Sequence, residues 1–224
     1  MRILVTMGGT REYLDNVRFI TNMSTGHTGR VLAARFAAAG HLITCLCAEG
    51  AERPGGKKIK IVGFTGFADL NAKIKTTLAD TAFDAIVHLA AVSDYSPLSI
   101  EAGGERYRPG REGKIPSSAP RMILTLKKNF KILDRIKSYA RASGYARSPL
   151  VIAFKLTSGA RRPGILKAVK ALAAADIVVH NDTDEIKDGH PFHIYKNGAK
   201  IRDCRGAGAL AGILLATLKG DTCF

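Results

Sequence analysis

The chain has 224 residues, of which 46% are hydrophobic and 24% are charged, as in globular domains that bury a substantial core. Its 34 Lys and Arg against 19 Asp and Glu give a net charge of +15 at pH 7, which is compatible with an anionic substrate, an anionic partner or simply a basic solvated surface. No apolar run reaches the ~18 residues that a membrane span requires. A strand pattern begins directly after Met1-Arg2, so we expect no signal peptide and a cytoplasmic location. From the chain length we expect a single domain over residues 1–224.

The first element is a short apolar strand, Ile3 to Val5, and a long glycine-rich segment separates it from a helical pattern that begins at Arg30. Long ordered loops in compact domains often carry function. Backbone N–H groups at the start of a helix can also hold phosphate. Strand, glycine-rich loop and helix together predict the opening of a nucleotide-binding α/β fold.

The rest of the chain alternates between apolar strand patterns and helical periodicity. Strands are predicted at 42–47, 58–64, 84–91, 122–126, 150–156, 176–180, 192–195 and 200–203, and helices at 30–39, 67–79, 132–139, 163–174 and 206–218. This alternation predicts a doubly wound, mostly parallel, Rossmann-like α/β sheet. Asn197-Gly198 between the last two strands predicts a closing antiparallel hairpin.

Residues 99–118 break the pattern, with repeated glycines, Pro109 and alternating charges. Such a composition favours a mobile flap over a packed element. The strand at 84–91 opens into Val92-Ser93-Asp94, and the opening loop also leaves the end of a strand. Because ligands of doubly wound sheets bind beyond the carboxyl ends of the strands, we expect these segments to share one site.

The four cysteines, Cys45, Cys47, Cys204 and Cys223, lack the spacing of a metal site. Cys45 and Cys47 are two residues apart in a strand and therefore share one face. Because the cytosol keeps thiols reduced, we interpret all four as reduced thiols that act as small hydrophobic side chains.

Several short motifs occur in a fixed order along the chain. They are Gly8-Gly9-Thr10-Arg11-Glu12, Asp15-x-Val17-Arg18-Phe19-Ile20-Thr21-Asn22, Ser24-Thr25-Gly26-x-x-Gly29, Ala90-Ala91-Val92-Ser93-Asp94-Tyr95, Gly113-Lys114-Ile115, Phe154-Lys155-Leu156 and Asp176-Ile177-Val178-Val179-x-Asn181-Asp182. In this order the sequence resembles the phosphopantothenoylcysteine synthetase family over nearly its whole length. The form that it resembles is free-standing, without the flavin-dependent decarboxylase domain that is fused to it in many bacteria.

The resemblance implies a ligase of coenzyme A biosynthesis. The carboxylate of 4'-phosphopantothenate would become an acyl nucleotide with loss of pyrophosphate, and the amine of cysteine would then displace the nucleoside monophosphate. CTP is the expected co-substrate, with ATP as the alternative, and Mg²⁺ is the expected metal. The resemblance also implies a homodimer whose chains complete each other's site and no bound FMN. We expect no specific nucleic-acid partner.

The resemblance assigns roles to individual residues. Lys114, in the flap, and Asn22 are expected to be catalytic. Substrate contacts are expected from Arg18, Asn22, Gly26, Gly29 and Ala91, although Arg18 could instead pair with Glu12 or Asp15. Nucleotide contacts are expected from Gly8, Gly9, His88, Leu89, Ala90, Asp94, Lys114, Phe130, Lys131, Ile132, Leu133, Phe154, Lys167 and Lys170. Asp94 could bind ribose hydroxyls or the metal. The segment Asn129-Phe130-Lys131-Ile132 replaces the family's usual Asn-Pro-Asp-Ile, which leaves base selection open.

Two other functions are compatible with parts of the sequence. An NAD(P)-dependent short-chain oxidoreductase has the same architecture, but it needs a Tyr with a Lys four residues later. None of the six tyrosines has that spacing, and the opening loop does not read Gly-x-Gly-x-x-Gly. A nucleic-acid-binding module would suit the basic residues between Glu105 and Arg147, but Tyr107 is the lone aromatic residue of the flap that could stack on a base.

Overall fold

The computed structural model describes residues 1–186 and 189–220. Its strands are β1 (Arg2–Met7), β2 (Arg11–Tyr13), β3 (Phe19–Thr21), β4 (Leu42–Ala48), β5 (Ile59–Phe64), β6 (Ala85–His88), β7 (Tyr95–Ala102), β8 (Glu105–Tyr107), β9 (Met122–Lys128), β10 (Leu150–Thr157), β11 (Ile177–Asp182), β12 (Pro191–Lys196) and β13 (Ala199–Arg205). Its helices are α1 (His27–Ala38), α2 (Phe67–Asp80), α3 (Leu133–Ala142), α4 (Arg162–Lys170) and α5 (Gly206–Lys219).

The main sheet has eight strands in the order β13-β12-β11-β10-β6-β1-β4-β5. The six strands from β11 to β5 are parallel, and β12 and β13 continue the sheet in antiparallel pairing. From β1 the chain first adds strands on one side and then on the other, so the order reverses between β1 and β6. The predicted doubly wound, mostly parallel fold is confirmed, and a ligand is expected at this reversal.

Helices cover both faces of the sheet because the parallel strands are apolar on both sides. Helices α1 and α5 bury Leu32, Phe36, Leu210 and Leu214 against one face. On the other face, α2 and α3 form a second core, and Val169 of α4 packs on Val178 and Tyr195. Along the part of the chain that the structure describes, no helix combines the length and apolarity that a membrane crossing needs.

The hairpin at Asn197-Gly198 and the burial of Cys45 and Cys47 in β4 agree with the predictions. Asn197 and Gly198 both have positive φ, 52° and 77°, which is the backbone of the tight turn that matches strand twist. Cys45 and Cys47 are fully buried in the core under α1 and are free thiols, as Cys204 is. Cys223 lies outside the described residues.

The prediction of a flap over the whole of 99–118 is wrong for its first half. Residues 99–107 lie in β7 and β8, which form a three-stranded antiparallel sheet with β9. Ile100 is fully buried in a small core with Leu14 and Ile115. The segment without regular structure therefore begins after Tyr107 and ends before Met122.

The opening loop and the bounds of two helices also differ clearly from the predictions. The opening loop contains a short hairpin, β2 with β3, in which Tyr13 packs on Phe19 at 5.4 Å between ring centroids. Helix α1 begins at His27 because Gly26 adopts φ 79° and turns the chain into the helix. Helix α4 ends at Lys170, four residues before the predicted end at Ala174, and turns follow it.

Gly212 lies exposed in the middle of α5. A Cβ there would meet no described atom within 4 Å. Replacing Gly212 by Ala should raise the free energy of unfolding by about 0.5–1 kcal/mol, because alanine loses less backbone entropy in a helix. Urea titrations followed by circular dichroism would measure the change.

Gly220, which ends α5, is the matched control. A Cβ there would also meet open space among the described atoms, but Gly220 has φ 78°. Gly220→Ala should therefore lower stability. If Gly212→Ala and Gly220→Ala change stability in the same direction, the argument from backbone conformation is wrong.

Candidate functional site

A cavity of about 600 Å³ lies at the carboxyl ends of β1, β6, β10 and β11, where the strand order reverses. Its lining is formed by Met7, Gly8, Met23, Ser24, Thr25, Gly26, His27, Thr28, Gly29, Leu89, Ala90, Ala91, Phe154, Leu156, Asn181, Ile186, His190 and Phe192. Ligand pockets typically have volumes of ~300–1,000 Å³ and apolar walls with a few polar groups. The cavity is therefore large enough for a nucleotide-sized ligand.

The start of α1 forms one wall of this cavity. Gly26 occupies the N-cap position without a side chain to cap the helix, and the Oγ1 of Thr25 accepts the His27 N–H at 3.2 Å. The first turn, His27-Thr28-Gly29-Arg30, carries basic side chains and no acidic one. The Glu52 carboxylate pairs with His27 at 3.2 Å and with Arg30 at 2.6 Å. Helix N-termini attract anions through their N–H groups and dipole, so the backbone of this wall suits a phosphate.

Gly29 allows α1 to lie close to β1. A Cβ on Gly29 would come within 2.7 Å of the Met7 Cβ, so a larger residue would push the helix away from the strand. Gly8 has φ 85°, and a Cβ there would lie 2.6 Å from that of Ala48. Gly29 therefore lets α1 pack closely on β1, and Gly8 lets the loop after β1 pack closely on the end of β4.

The opening loop is tied to the segment after β6. Gly9 and Ala91 form an isolated parallel bridge, in which the Thr10 N–H donates to Ala91 O at 3.1 Å and the Ala91 N–H donates to Gly8 O at 2.9 Å. The side-chain amide of Asn22 donates to Val92 O at 3.3 Å. Asn22 therefore lies beside residues that line the cavity, although its own side chain is not part of the lining.

His88 lies beneath the cavity. The residue is 8% exposed, and its Nδ1 is 2.8 Å from the Oγ1 of Thr6. The same Oγ1 accepts the Ala90 N–H at 3.2 Å. Burial lowers the pKa of His88 to about 4, so the ring is neutral at pH 7. His88 thus orders the Ala90 backbone through Thr6.

Lys114 is exposed and lies outside the lining of the cavity. The residues on either side of it are bound to the turn between β2 and β3. The Asn16 N–H donates to Gly113 O at 3.0 Å, and the Ile115 N–H donates to the Asp15 carboxylate at 3.1 Å. The backbone at Lys114 is therefore fixed, while its side chain faces solvent.

Arg18 pairs with Asp15, one of the two alternatives left open by the sequence. Its Nε donates to Asp15 Oδ2 at 2.9 Å, and its Nη2 donates to both Asp15 Oδ2 and Ile115 O. These contacts occupy three of the five N–H groups of a guanidinium. Its side chain remains 35% exposed, so the Nη1 side is what a ligand could reach.

The segment Phe130 to Leu133 is largely packed into the protein. Ile132 and Leu133 are buried in the core under α2 and α3. Phe130 packs edge-on against Phe67 at 4.9 Å, and the guanidinium of Arg135 lies 3.4 Å from its ring centroid. Lys131 is exposed. None of these four side chains is part of the cavity lining.

Lys167 and Lys170 lie on α4. Lys170 lines a smaller cavity of about 230 Å³ together with Asp176 and Gly198. Because Asp176 precedes β11, this cavity lies at the amino ends of the strands, at the opposite edge of the sheet. The structure thus does not bring Lys170 to the main cavity, and Lys167 is exposed outside its lining.

Sequence reasoning assigned no role to several residues that line the cavity. Asn181 lies there with its amide nitrogen 3.3 Å from the Nε2 of His190, whose ring stacks on Phe192 at 4.7 Å. Asn181 belongs to the motif Asp176-Ile177-Val178-Val179-x-Asn181-Asp182, and this motif was the sequence signal that could have identified it as a site residue. His190 has φ 53° and carried no signal in the sequence. Burial, followed by the charge of His27, lowers the pKa of His190.

A histidine pair lies between β11 and β12. The His193 ring stacks on that of His180 with centroids 5.7 Å apart, and its two nitrogens contact Asp203 at 2.7 Å and Glu185 at 3.0 Å. Burial is the largest single influence on the pKa of His193 and lowers it, but the two carboxylates together outweigh it and raise the pKa above its ordinary value. Lys200 binds the far oxygen of Asp203 at 2.9 Å.

Replacing His193 by Gln should destabilise the protein more at about pH 5.5 than at about pH 8. A raised folded-state pKa means that the contribution to stability is complete below the unfolded pKa of ~6.5 and is lost as the pH rises through the folded value. Urea unfolding of both proteins at the two pH values would measure the difference. A loss of unfolding free energy that is larger at about pH 8 than at about pH 5.5 would contradict a raised pKa of His193.

Over residues 1–186 and 189–220, no group of three or more His, Cys, Asp and Glu side chains is arranged to hold a metal ion. Asp94 is exposed beside the segment that leaves β6, and its carbonyl accepts the Asn129 N–H at 2.8 Å. Mg²⁺ in phosphate-transfer sites often has one or two carboxylate ligands and takes the rest from phosphates and water. A single carboxylate such as Asp94 is compatible with that mode.

The parallel sheet, the reversal of strand order and the phosphate-compatible helix end define an α/β domain of the Rossmann-like class, an architecture that commonly binds nucleotides. A family model, the DNA/pantothenate metabolism flavoprotein C-terminal domain, matches residues 1–209. The chain belongs to this family.

Relatives and a solved structure agree with this membership. The coenzyme A biosynthesis bifunctional protein CoaBC of Methanocaldococcus jannaschii is 37% identical over 136 residues, covering 61% of this chain and 30% of the relative. CoaBC of Thermococcus kodakarensis is 30% identical over 183 residues, covering 80% and 41%. The chain thus spans less than half the length of these curated relatives. The crystal structure of the DNA/pantothenate metabolism flavoprotein from Streptococcus pneumoniae superposes with a TM-score of 0.84 at 26% identity, covering 99% of both chains.

Proposed function

We propose that this protein is a phosphopantothenate–cysteine ligase, which joins 4'-phosphopantothenate to cysteine through an acyl-nucleotide intermediate in coenzyme A biosynthesis. The observation that carries the proposal is the cavity at the strand reversal, with the uncapped start of α1 as one wall. Membership of a pantothenate-metabolism family supports it and favours it over an oxidoreductase or a nucleic-acid-binding module. The substrates, the nucleotide and the residue roles below are all parts of this proposal.

The first step activates a carboxylate, which is otherwise a poor electrophile. An oxygen of the pantothenate carboxylate attacks the α-phosphorus of the nucleotide, the bond to the β-phosphate breaks, and pyrophosphate leaves. Catalysis of such a transfer consists mainly of positioning and of stabilising charge on the phosphates. The N–H groups of Thr28 and Gly29 at the start of α1 would hold phosphate, and Lys114 would neutralise charge as pyrophosphate departs.

In the second step the cysteine amine attacks the acyl carbon, and the nucleoside monophosphate leaves. Asn22 would hold the intermediate, because an amide can donate to the acyl oxygen without competing as a nucleophile. Its position beside Val92 and Ala91 supports this role. Arg18 would contact the phosphate of the substrate through its Nη1 side.

We assign CTP as the first choice of nucleotide and ATP as the second, with Phe154 and the backbone of Leu89 and Ala90 against it. When bound, Mg²⁺ would offset charge on the phosphates. Asp94 would be its protein ligand or would instead bind ribose. The buried free thiols of Cys45 and Cys47 are consistent with a reducing compartment, and we place the reaction in the cytoplasm.

We further propose a homodimer in which the partner chain completes each site. Lys114 lies outside the lining of the cavity in its own chain, which supports a contribution across the interface. Mixing the inactive variants Lys114→Ala and Asn22→Asp should then restore part of the activity, because one site of each mixed dimer would keep both residues. No recovery after subunit exchange would contradict a shared site.

The ligase is tested by measuring pyrophosphate release with phosphopantothenate, cysteine, Mg²⁺ and either CTP or ATP. Steady release is expected with all components present. With cysteine omitted, release should be a burst that is stoichiometric with enzyme, because the acyl nucleotide remains bound. Absence of pyrophosphate with both nucleotides would refute the ligase, and the relative turnover with CTP and ATP would identify the preferred nucleotide.

A further inference from the structure

Asp15 lies in the turn between β2 and β3 and is 1% exposed. Its Oδ1 accepts the N–H groups of Val17 at 2.9 Å and Arg18 at 2.7 Å. Its Oδ2 accepts the Arg18 Nε at 2.9 Å and the Ile115 N–H at 3.1 Å. The last of these contacts joins residues 100 apart in sequence, so Asp15 does more than shape its own turn.

Asp15 carries its charge at neutral pH. The Arg18 side chain, which has the largest effect, and the N–H groups of Val17, Ile115 and Arg18 hold the pKa of Asp15 well below its usual range, although burial opposes them. Hydrogen bonds to an ionised carboxylate are shorter and about twice as strong as neutral ones. The contact with Ile115 is therefore charge-assisted.

Three further contacts hold the segment around Lys114 to the same turn. The Asn16 N–H donates to Gly113 O at 3.0 Å, and Arg18 Nη2 donates to Ile115 O at 2.6 Å. The Ile115 side chain is 4% exposed and packs in the small core with Leu14 and Ile100. The backbone on both sides of Lys114 is thus anchored, whereas Lys114 itself is exposed.

We propose that Asp15 is a positioning residue that fixes the Lys114 segment and the Arg18 guanidinium relative to each other. The inference rests on the proposed function for its catalytic consequence, but the anchoring can be measured without it. The carboxylate contacts both Arg18 and the backbone beside Lys114. It therefore fixes the position of the Lys114 backbone, from which the side chain extends, and determines which N–H groups of Arg18 are left for a ligand.

Asp15→Asn is the first test. The Asn side chain keeps the shape and can accept from Val17 and Arg18, but it removes the charge and presents an N–H where Ile115 and Arg18 need an acceptor. Amide hydrogen exchange at Asn16 and Ile115 should become faster, while exchange in β1 and β10 stays the same. Unchanged exchange at both amides would overturn the anchoring.

The catalytic part is tested by a double-mutant cycle with Lys114→Ala. Alone, Asp15→Asn should lower kcat by ~10- to 100-fold, the scale of a misplaced catalytic group, and leave KM for the nucleotide unchanged. In the Lys114→Ala background it should lower kcat far less, because the group that it positions is gone. A full, additive loss in that background would show that Asp15 does not act through Lys114 and would overturn the inference.

Asp176→Asn is the matched control. Asp176 also accepts both a backbone N–H, from Val151 at 2.8 Å, and a basic side chain, Lys137 at 2.6 Å, but it lies at the amino ends of the strands. The Asp176→Asn variant should leave kcat and the amide exchange of Ile115 unchanged.

If Asp15→Asn does not fold, Asp15→Glu replaces it, because the added methylene moves the charge away from Ile115. A wild-type chain without ligase activity would refute the proposed function, and the exchange data would then decide the anchoring alone.

Discussion

Replacing Lys114 by Ala is expected to lower turnover by ~100- to 1,000-fold, the typical effect of removing one group that stabilises charge in a transition state. The thermal midpoint should stay the same, because the Lys114 side chain is exposed and the adjacent residues Gly113 and Ile115 keep their backbone contacts. Steady-state pyrophosphate release and thermal unfolding would measure the two effects.

Lys127 supplies the control for this variant. It is an exposed lysine on β9, in the same basic part of the chain. Lys127→Ala removes the same charge from the net total and should leave turnover unchanged. Equal losses in both variants would mean that long-range attraction of anionic substrates, rather than a local role of Lys114, explains the effect.

Gly9→Ala is the second change with a large expected effect. A Cβ at Gly9 would lie 2.4 Å from the carbonyl oxygen of Asn22 and 3.0 Å from the Oγ1 of Thr21. Because the closest atom belongs to the backbone, the chain itself must move. We expect a loss of about 1–3 kcal/mol in the free energy of unfolding from overpacking and a ~100-fold loss of turnover from displacement of Asn22. Urea unfolding and pyrophosphate release would measure both.

Gly63→Ala is the matched control for Gly9→Ala. Gly63 is exposed on β5, and a Cβ there would meet no described atom within 4 Å. It should leave both stability and turnover close to those of the wild type. If Gly9→Ala is equally harmless, the Asn22 backbone is not confined by Gly9, and the description of the opening loop is wrong.

The architecture was predictable because buried parallel strands and amphipathic helices have clear periodicities. Leu70, Ile74 and Leu78 of α2, for example, recur at helical spacing and are all fully buried. The three-stranded sheet was missed although a signal existed. Gly103 and Gly104 both have positive φ, 62° and 84°, and a Gly-Gly pair between strands is typical of a hairpin turn. Their composition was interpreted as mobility instead.

The position of the cavity was predictable in part, from the glycine motifs and from the ends of the parallel strands. Gly8, Gly26, Gly29, Leu89, Ala90, Ala91 and Phe154 all reach the cavity. His190 was not predictable, because its position depends on the packing of β12 beside β11, which the sequence pattern does not specify. The contact of Asp15 with Ile115 spans 100 residues. Neither periodicity nor local motif spacing encodes such a pairing.

The uncapped beginning of α1 links ligand occupancy to the stability of the whole chain. Because Gly26 supplies no side chain to close the helix and Thr25 accepts the His27 N–H, an anion seated there would accept hydrogen bonds from the N–H groups of Thr28 and Gly29. The gain in free energy then follows RT ln(1 + [L]/Kd) for a ligand that binds the folded state alone. An anionic ligand that binds at this helix start would thereby lengthen the time that each molecule survives before it unfolds and is degraded.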